Sequence, residues 1–320
     1  MGRMAGEERD GVPLTNLDQE LFDGAGATKR DLVDYLDAVH GRIIPALRDR
    51  PLSVIRVRPG QPPFMQKNLP KYTPDWVARA DVWADRSRRM VSYGLCNDRR
   101  TLIWFANQRA VEYHPGLAVS DDWAHPTHLI LDLDPPAGGA FRLAAQAALL
   151  VREVLSSCGM AGAPKTSGAK GAHVFVPLAP GQAHDDVAAA TRAIAARAER
   201  LDPALATTAF IVEQRDGKVF LDSTRAGGAT VVAAYSPRLR PGVPVSFPLP
   251  WDALEAAVPG DYTVHTAVAA LGDSDPWAEL MPEPQGLDPG LVEEGHTIPI
   301  ARVVAMHEGK RRARERRAEE

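Results

Sequence analysis

The sequence predicts an α+β fold. Strands that end in acids run through the middle of the chain, at 128–134 and 218–222, and two long amphipathic segments, 140–157 and 184–201, have the periodicity of helices. Of 320 residues, 45% are apolar and 24% charged, the composition of a chain that buries a core. That length corresponds to about two average domains or one large unit.

The elements follow in order. Residues 1–12 are polar and read as a loose tail. Thr28 caps a helix with Leu32, Tyr35, Leu36, Val39, Ile43 and Ile44 on its apolar face, and Pro45 stops it. Residues 50–58 alternate apolar and basic side chains, a strand with one basic face. A proline-rich loop spans 59–74, and strands are expected at 89–93 and 101–106. After the strand at 128–134 and the helix at 140–157, a glycine-containing turn at 166–173 leads into a strand at 173–177. The helix at 184–201 and strands at 218–222 and 230–234 follow. There is no internal repeat. Past Pro282 the chain becomes rich in proline, glycine and acids, and its last stretch, 308–320, mixes charge signs as a solvated helix does.

Composition excludes several function classes. No uncharged apolar run reaches the ~20 residues that span a bilayer; the best, Phe141 to Leu155, is broken by Arg142 and Arg152. No signal-peptide h-region follows the N-terminus. Cys96 and Cys158 are too few for a disulfide framework or a four-cysteine zinc site and suit a reducing cytosol. The net charge of −4 neither advertises nor excludes nucleic-acid binding, which needs only a local basic patch. Seven lysines stand against thirty arginines, a bias that genomic base composition explains.

Asp132 and Asp134 end one strand two residues apart, so both carboxylates share a face. Such a pair is either a hard divalent-cation site or a solvated acidic turn. An Asp-x-Asp strand end also serves haloacid-dehalogenase-type phosphohydrolases, but Pro135-Pro136 stands where Asp-Gly-Thr usually follows. Ser167-Gly-Ala-Lys170-Gly-Ala-His173 brings a hydroxyl, freed backbone N–H groups, an ammonium and an imidazole into one turn. It reads as a phosphate cradle or as a plain glycine hairpin, and it lacks the Walker A order. Asp222 ends a further strand and gains meaning only beside the first two acids. Three carboxylates around two metal ions form the clamp of nucleotidyl transfer. His114, in Glu112-Tyr-His-Pro, is a candidate phosphate or hydroxyl contact or an ordinary structural histidine.

The ordered set is more specific than its members. Thr15-Asn-Leu-Asp, Thr28-Lys29, Arg50-Pro51, Glu112-Tyr-His114, Leu129-Ile-Leu-Asp-Leu-Asp-Pro135, the 166–173 turn, Lys218-Val-Phe-Leu-Asp222, Tyr235-Ser-Pro-Arg238 and Asp275-Pro-Trp277 occur in this order. The chain thereby resembles the polymerase domain of bacterial ligase D, in the archaeo-eukaryotic primase superfamily, over about residues 12–285. The resemblance implies an RRM-like palm sheet carrying the acids, at about 111–285, and a smaller N-terminal α/β lobe at about 12–110. Residues 1–11 would be a polar tail and 286–320 a C-terminal extension. No ligase or nuclease motif is seen, so a stand-alone polymerase is expected.

It implies template-directed nucleotidyl transfer, filling gaps or extending ends in non-homologous end joining. Asp132, Asp134 and Asp222 would be catalytic and hold two Mn²⁺ or Mg²⁺ ions, with no zinc. Ser167, Lys170, His173, His114, Arg215 and Arg238 would bind the NTP or dNTP. Asn16 and Lys29 would grip the 5′-phosphate at a gap or break, and Phe64 would stack on the template. The family often prefers ribonucleotides and is often favoured by manganese. The expected partners are gapped or broken DNA, a separate ATP-dependent ligase and Ku, with no membrane; the expected location is cytoplasmic and nucleoid-associated. Gln19 replaces a second phosphate-gripping lysine, Met65 replaces a second stacking aromatic, Ser223 follows the third acid where an aromatic is common, and Ala226 falls near an expected asparagine. These departures predict weaker dependence on a 5′-phosphate. A catalytically inactive end-binding scaffold is the competing reading, and removal of Asp132 or Asp134 is expected to relieve acid–acid repulsion.

Overall fold

A hairpin of β1 (Glu8–Arg9) and β2 (Val12–Pro13) opens the chain in the computed structural model, which describes residues 7–84, 88–227 and 230–300. The polar run expected to be loose is therefore fixed from Glu7 onward: Arg9 pairs with Asp34 at 2.5 Å and Asp37 at 3.3 Å. Helix α1 (Lys29–Ala38) starts at Thr28, which accepts from the Asp31 N–H while the Asp31 carboxylate accepts from the Thr28 N–H, a reciprocal capping box. The helix does not end at Pro45. It breaks at Val39, and α2 (His40–Leu47) carries Pro45 inside it. Pro45 forgoes only the bond to the carbonyl of Gly41, a residue exposed to solvent.

The first sheet has the order β4–β3–β6–β5, with β7 also pairing β3. Its strands are β3 (Leu52–Arg58), β4 (Gln61–Gln66), β5 (Arg79–Ala84), β6 (Arg89–Gly94) and β7 (Ala110–Pro115). β4 lies in the stretch expected to be a proline-rich loop; it is an edge strand, and Pro62 and Pro63 fall at the register shift between the Arg56–Phe64 and Arg58–Gln61 pairs, where neither is a ladder partner. Residues 101–106 are not a strand but belong to α3 (Arg99–Asn107), started by Asp98, whose carboxylate accepts from the Thr101 N–H at 2.7 Å. Its run Leu102–Ala106 is buried all round, and such a run has no periodicity to separate helix from strand.

The second sheet positions the acids. Its order is β11–β12–β8–β10–β9, from β8 (His128–Asp134), β9 (Ala163–Thr166), β10 (Ala172–Pro177), β11 (Ala206–Thr207) and β12 (Val219–Asp222). All pairs but β11–β12 are antiparallel. Leu129, Leu131 and Leu133 point to one face and join the main core with residues of α4 (Phe141–Ser157) and α5 (His184–Leu201). Alternation then turns Ile130, Asp132 and Asp134 to the opposite face, where Ile130 packs with Leu117 and Val231. Helices on one face of an antiparallel sheet are the expected α+β arrangement.

Residues 230–234, expected as a strand, form none; the segment is tied by the Ala233 N–H to the Tyr113 carbonyl at 2.9 Å. Short helices α6 (Ala267–Leu271) and α7 (Pro276–Leu280) precede α8 (Pro289–Thr297), which lies on α5. Gly295 sits so close to α5 that a Cβ there would lie 1.8 Å from the Ala189 carbonyl oxygen, and Glu294 pairs with Arg197 at 2.7 Å and Arg200 at 2.8 Å. The charged stretch 308–320 lies outside the described residues. No helix among the described residues is long and apolar enough to cross a membrane.

Candidate active site

Sheet register builds the site. Asp222 on β12 is directly opposite Asp132 on β8, Asp132 is opposite His173 on β10, and His173 is opposite Lys165 on β9. Directly paired residues point to the same face, so four titratable side chains form one row across four strands. Asp134 lies two residues beyond Asp132 on that face. Two glycines permit the close packing around the row. A Cβ at Gly171 would lie 2.5 Å from the Leu133 carbonyl oxygen, and Gly168, at φ +68°, sits 2.8 Å from the Ser246 nitrogen at its Cβ position.

The carboxylates differ electrostatically. Asp132 Oδ1 lies 3.2 Å from His173 Nε2, and its Oδ2 lies 3.0 Å from the Arg225 guanidinium. Burial alone would raise the Asp132 carboxyl, but His173, Arg225 and Lys165 together hold it at about 2. Arg225 also reaches Asp222 at 3.2 Å, while the other Asp222 oxygen accepts from the Thr224 N–H and hydroxyl at 2.8 and 2.6 Å. Asp134 is pushed upward, first by burial and then by the Asp132 charge.

Lys170 and Arg225 offset the Asp134 charge only in part, and a guanidinium already bridges its two neighbours as a stand-in cation. Oxygen donors on one face under such repulsion fit a hard divalent ion. Among the described residues no three acid, histidine or cysteine side chains are gathered to hold an ion as they stand; Arg225 lies between two of the three acids, so it must withdraw for an ion to enter.

A cavity of about 460 Å³ opens at Asp132, within the range of small-molecule sites, while Asp134 and Asp222 are not among its lining residues. Asp132, His173, His114, Arg225, Arg238, Ser53 and Lys67 are among its lining residues. His114 is oriented by Glu112, which takes a bond from its Nε2 at 2.8 Å and one from the Leu239 N–H at 2.8 Å. Burial would raise Glu112, but these bonds and the Arg238 charge hold it at about 2.

The other expected site residues are placed as follows. The Ser167 hydroxyl accepts from the Ala169 and Gly171 N–H groups at 3.2 and 3.1 Å, closing the loop, and its carbonyl accepts from Arg238. Lys170 donates to the Pro135 carbonyl at 2.9 Å beside Asp134. Arg215 stacks on Phe220, 3.9 Å from the ring centroid, and donates to the Ala209 and Phe210 carbonyls, outside the cavity lining. Phe64 lies under the guanidinium of Arg58 at 4.7 Å, next to Met65 in the cavity wall. Asn16 is exposed. Lys29 is buried: its ammonium donates to the Thr15 carbonyl at 2.5 Å and the Asn107 side chain at 2.6 Å, and burial with the Arg109 charge lowers it to about 8. Gln19 accepts from the Arg109 guanidinium at 2.7 Å. Arg225, Lys165 and the role of Glu112 escape sequence reasoning. Only the strand register shows whom they face.

Comparison with known proteins identifies the family. The family model for the LigD primase-polymerase domain matches residues 28–277. The bifunctional non-homologous end joining protein LigD of Bacillus subtilis is 32% identical over 262 residues, 80% of this chain and 42% of that protein. The multifunctional LigD of Mycobacterium tuberculosis is 34% identical over 263 residues, 78% of this chain and 34% of its own length. The chain therefore spans well under half the length of these relatives. A solved polymerase domain of M. tuberculosis ligase D, in complex with DNA, superposes with a TM-score of 0.77 at 32% identity, covering 86% of this chain and 98% of that one. The acid row, the cavity at Asp132 and these matches place the chain in the LigD primase-polymerase domain family.

Proposed function

We propose that this chain is a DNA-directed nucleotidyltransferase. It fills gaps or extends ends during double-strand break repair by non-homologous end joining. The observation that carries the reading is the acid row Asp132–Asp222 with Asp134, opening into a cavity lined by His114 and Arg238 beside the Ser167–His173 loop. In the reaction, the primer 3′-hydroxyl oxygen bonds to the α-phosphorus of the nucleotide. The α–β phosphoanhydride breaks, pyrophosphate leaves and the hydroxyl proton passes to solvent.

Two Mn²⁺ or Mg²⁺ ions bound at Asp132, Asp134 and Asp222 would supply neutralisation of the triphosphate and of the developing alkoxide. The chain's own residues position the reactants. Lys170, beside the Pro135 carbonyl, and Arg238, on the Ser167 carbonyl, attract the phosphates, with Arg215, held on Phe220, as a further phosphate contact. His173 holds Asp132 in place, and Glu112 aims His114 at the sugar or primer end. Phe64 supplies a stacking surface for the template, and Asn16 and Lys29 the 5′-phosphate contact. Lys29 is enclosed by Thr15 and Asn107, and Gln19 brings no charge, so this contact contributes less than a pair of free lysines would. Gapped or broken DNA and NTP or dNTP are the proposed substrates, ribonucleotide incorporation included, with Mn²⁺ or Mg²⁺ as the metal. A separate ATP-dependent ligase and Ku are the proposed partners at the nucleoid.

One observation favours a second reading, an inactive end-binding scaffold: Arg225 bridges the acids where a cation belongs. Incubation with a labelled primer across a short gap, with NTPs or dNTPs, separates the two. Primer growth supports the polymerase. Bound gapped DNA without growth under any metal supports the scaffold. Phosphate release from a chromogenic phosphomonoester, with no growth, would point to a phosphohydrolase instead.

A further inference from the structure

Lys165 ends the row that contains the acids, and it is fully buried. It has no carboxylate partner among the described residues. Its ammonium lies 2.8 Å from His173 Nδ1 and 2.5 Å from the Ser246 hydroxyl, above the Phe175 ring at 5.4 Å. Burial pushes the Lys165 amine well below the ordinary lysine range, with the Asp132 charge only partly opposing it, and a methionine would fill the space without that cost. The hydrogen bonds explain what the lysine does. Ser246 donates its hydroxyl proton to the Thr166 carbonyl at 2.7 Å, so its oxygen accepts from Lys165. With Lys165 as the donor to Nδ1, a role the second N–H of even a neutral amine can fill, that nitrogen must be bare. The ring proton then sits on Nε2 and is donated to Asp132 Oδ1 at 3.2 Å.

We propose that Lys165 is a positioning residue: by donating to Nδ1 it fixes His173 in the Nε2–H tautomer, which holds Asp132 Oδ1 and leaves Oδ2 as the oxygen presented to a divalent cation. Oδ2 is the atom that Arg225 takes in this structure. The device is one step removed from the carboxylate, the kind of outer contact whose loss weakens metal sites by about 10–100-fold. The second half of this inference rests on the functional reading above; the tautomer does not.

The test uses the full chain labelled with ¹⁵N-histidine, with His173→Gln to assign the signal. Long-range ¹H–¹⁵N correlations report which ring nitrogen carries the proton. The wild type is expected to show Nε2–H at His173. Lys165→Met, with Lys165→Gln as the alternative if the first does not fold, is expected to give Nδ1–H or an exchanging mixture. Mn²⁺ affinity, read from the free-ion electron paramagnetic resonance signal without nucleotide, should fall about 10–100-fold. In the His173→Gln background Lys165→Met should cost no further Mn²⁺ affinity, because the two residues act in series.

A wild-type Nδ1–H tautomer, an unchanged tautomer in the variant, or additive losses in the double variant would each overturn the proposal. A wild type that shows the tautomer response but binds no Mn²⁺ would instead overturn the functional reading and the role given to Oδ2.

Discussion

Asp132 and Asp134 are chemically identical and two residues apart, yet their surroundings are opposite. Asp132 is held by His173 and Arg225, whereas Asp134 is crowded by two like charges. In metal-free protein, Asp134→Asn should therefore raise the melting temperature. Asp132→Asn should lower it, by about 1–3 kcal/mol in stability, because it leaves buried donors without their acceptor. Calorimetry on the two variants checks the contrast, which the shared acidity of the pair does not foretell.

Glu112 carries a pH prediction. Its folded-state value of about 2 lies below the ordinary 4.5, so its stabilisation is complete above the ordinary value and is lost as pH falls toward 2. Glu112→Gln should cost on the order of 3 kcal/mol at pH 7 and little near pH 2. Urea melts across that range decide it; an equal loss at both ends would refute the ionic role. Period-two alternation made the two acids of β8 legible, because spacing alone fixes their face. Glu112, Arg225 and Lys165 were not legible as site residues: His114, Asp222 and His173 lie within 8 positions of them, but the contacts that complete each setting, to Leu239, Asp132 and Ser246, lie 127, 93 and 81 positions away.

At the scale of elements, the glycine at the start of β10 sets how closely that strand approaches β8. Gly171→Ala places a Cβ against the Leu133 carbonyl and should cost about 1–3 kcal/mol. The displaced β10 carries His173, so nucleotide incorporation should fall more than stability does. A variant with wild-type incorporation would show that the β8–β10 spacing is not critical. The helices at 141–157 and 184–201 were legible because their apolar faces repeat over four or more turns. The 101–106 segment was not, because a run buried on every side has lost its period. β4 was hidden by its prolines, which an edge strand tolerates, and 230–234 has a strand's composition but only isolated bonds to its neighbours.

At the scale of the whole molecule, the first sheet runs through β7, which carries His114 to the cavity, while the second sheet supplies the acids. The C-terminal extension is tied into this body by α8, whose Glu294 is held by Arg197 and Arg200 on α5. At the DNA end, enclosed Lys29 and uncharged Gln19 predict similar extension across gaps with and without a 5′-phosphate. A large loss without the phosphate would refute that expectation.

Metal-dependent nucleotidyl transfer by the row of acids is the function proposed for this chain. It is tested most directly by the rate of single-nucleotide incorporation on a gapped duplex, with Mn²⁺ or Mg²⁺ titrated, for the wild type and for Asp132→Asn, Asp134→Asn and Asp222→Asn. The predicted result is saturable, metal-dependent incorporation by the wild type, and a loss of at least roughly 100-fold in each folded variant. Incorporation that survives loss of Asp222, or a wild type that binds the duplex and adds nothing with either metal, would contradict it.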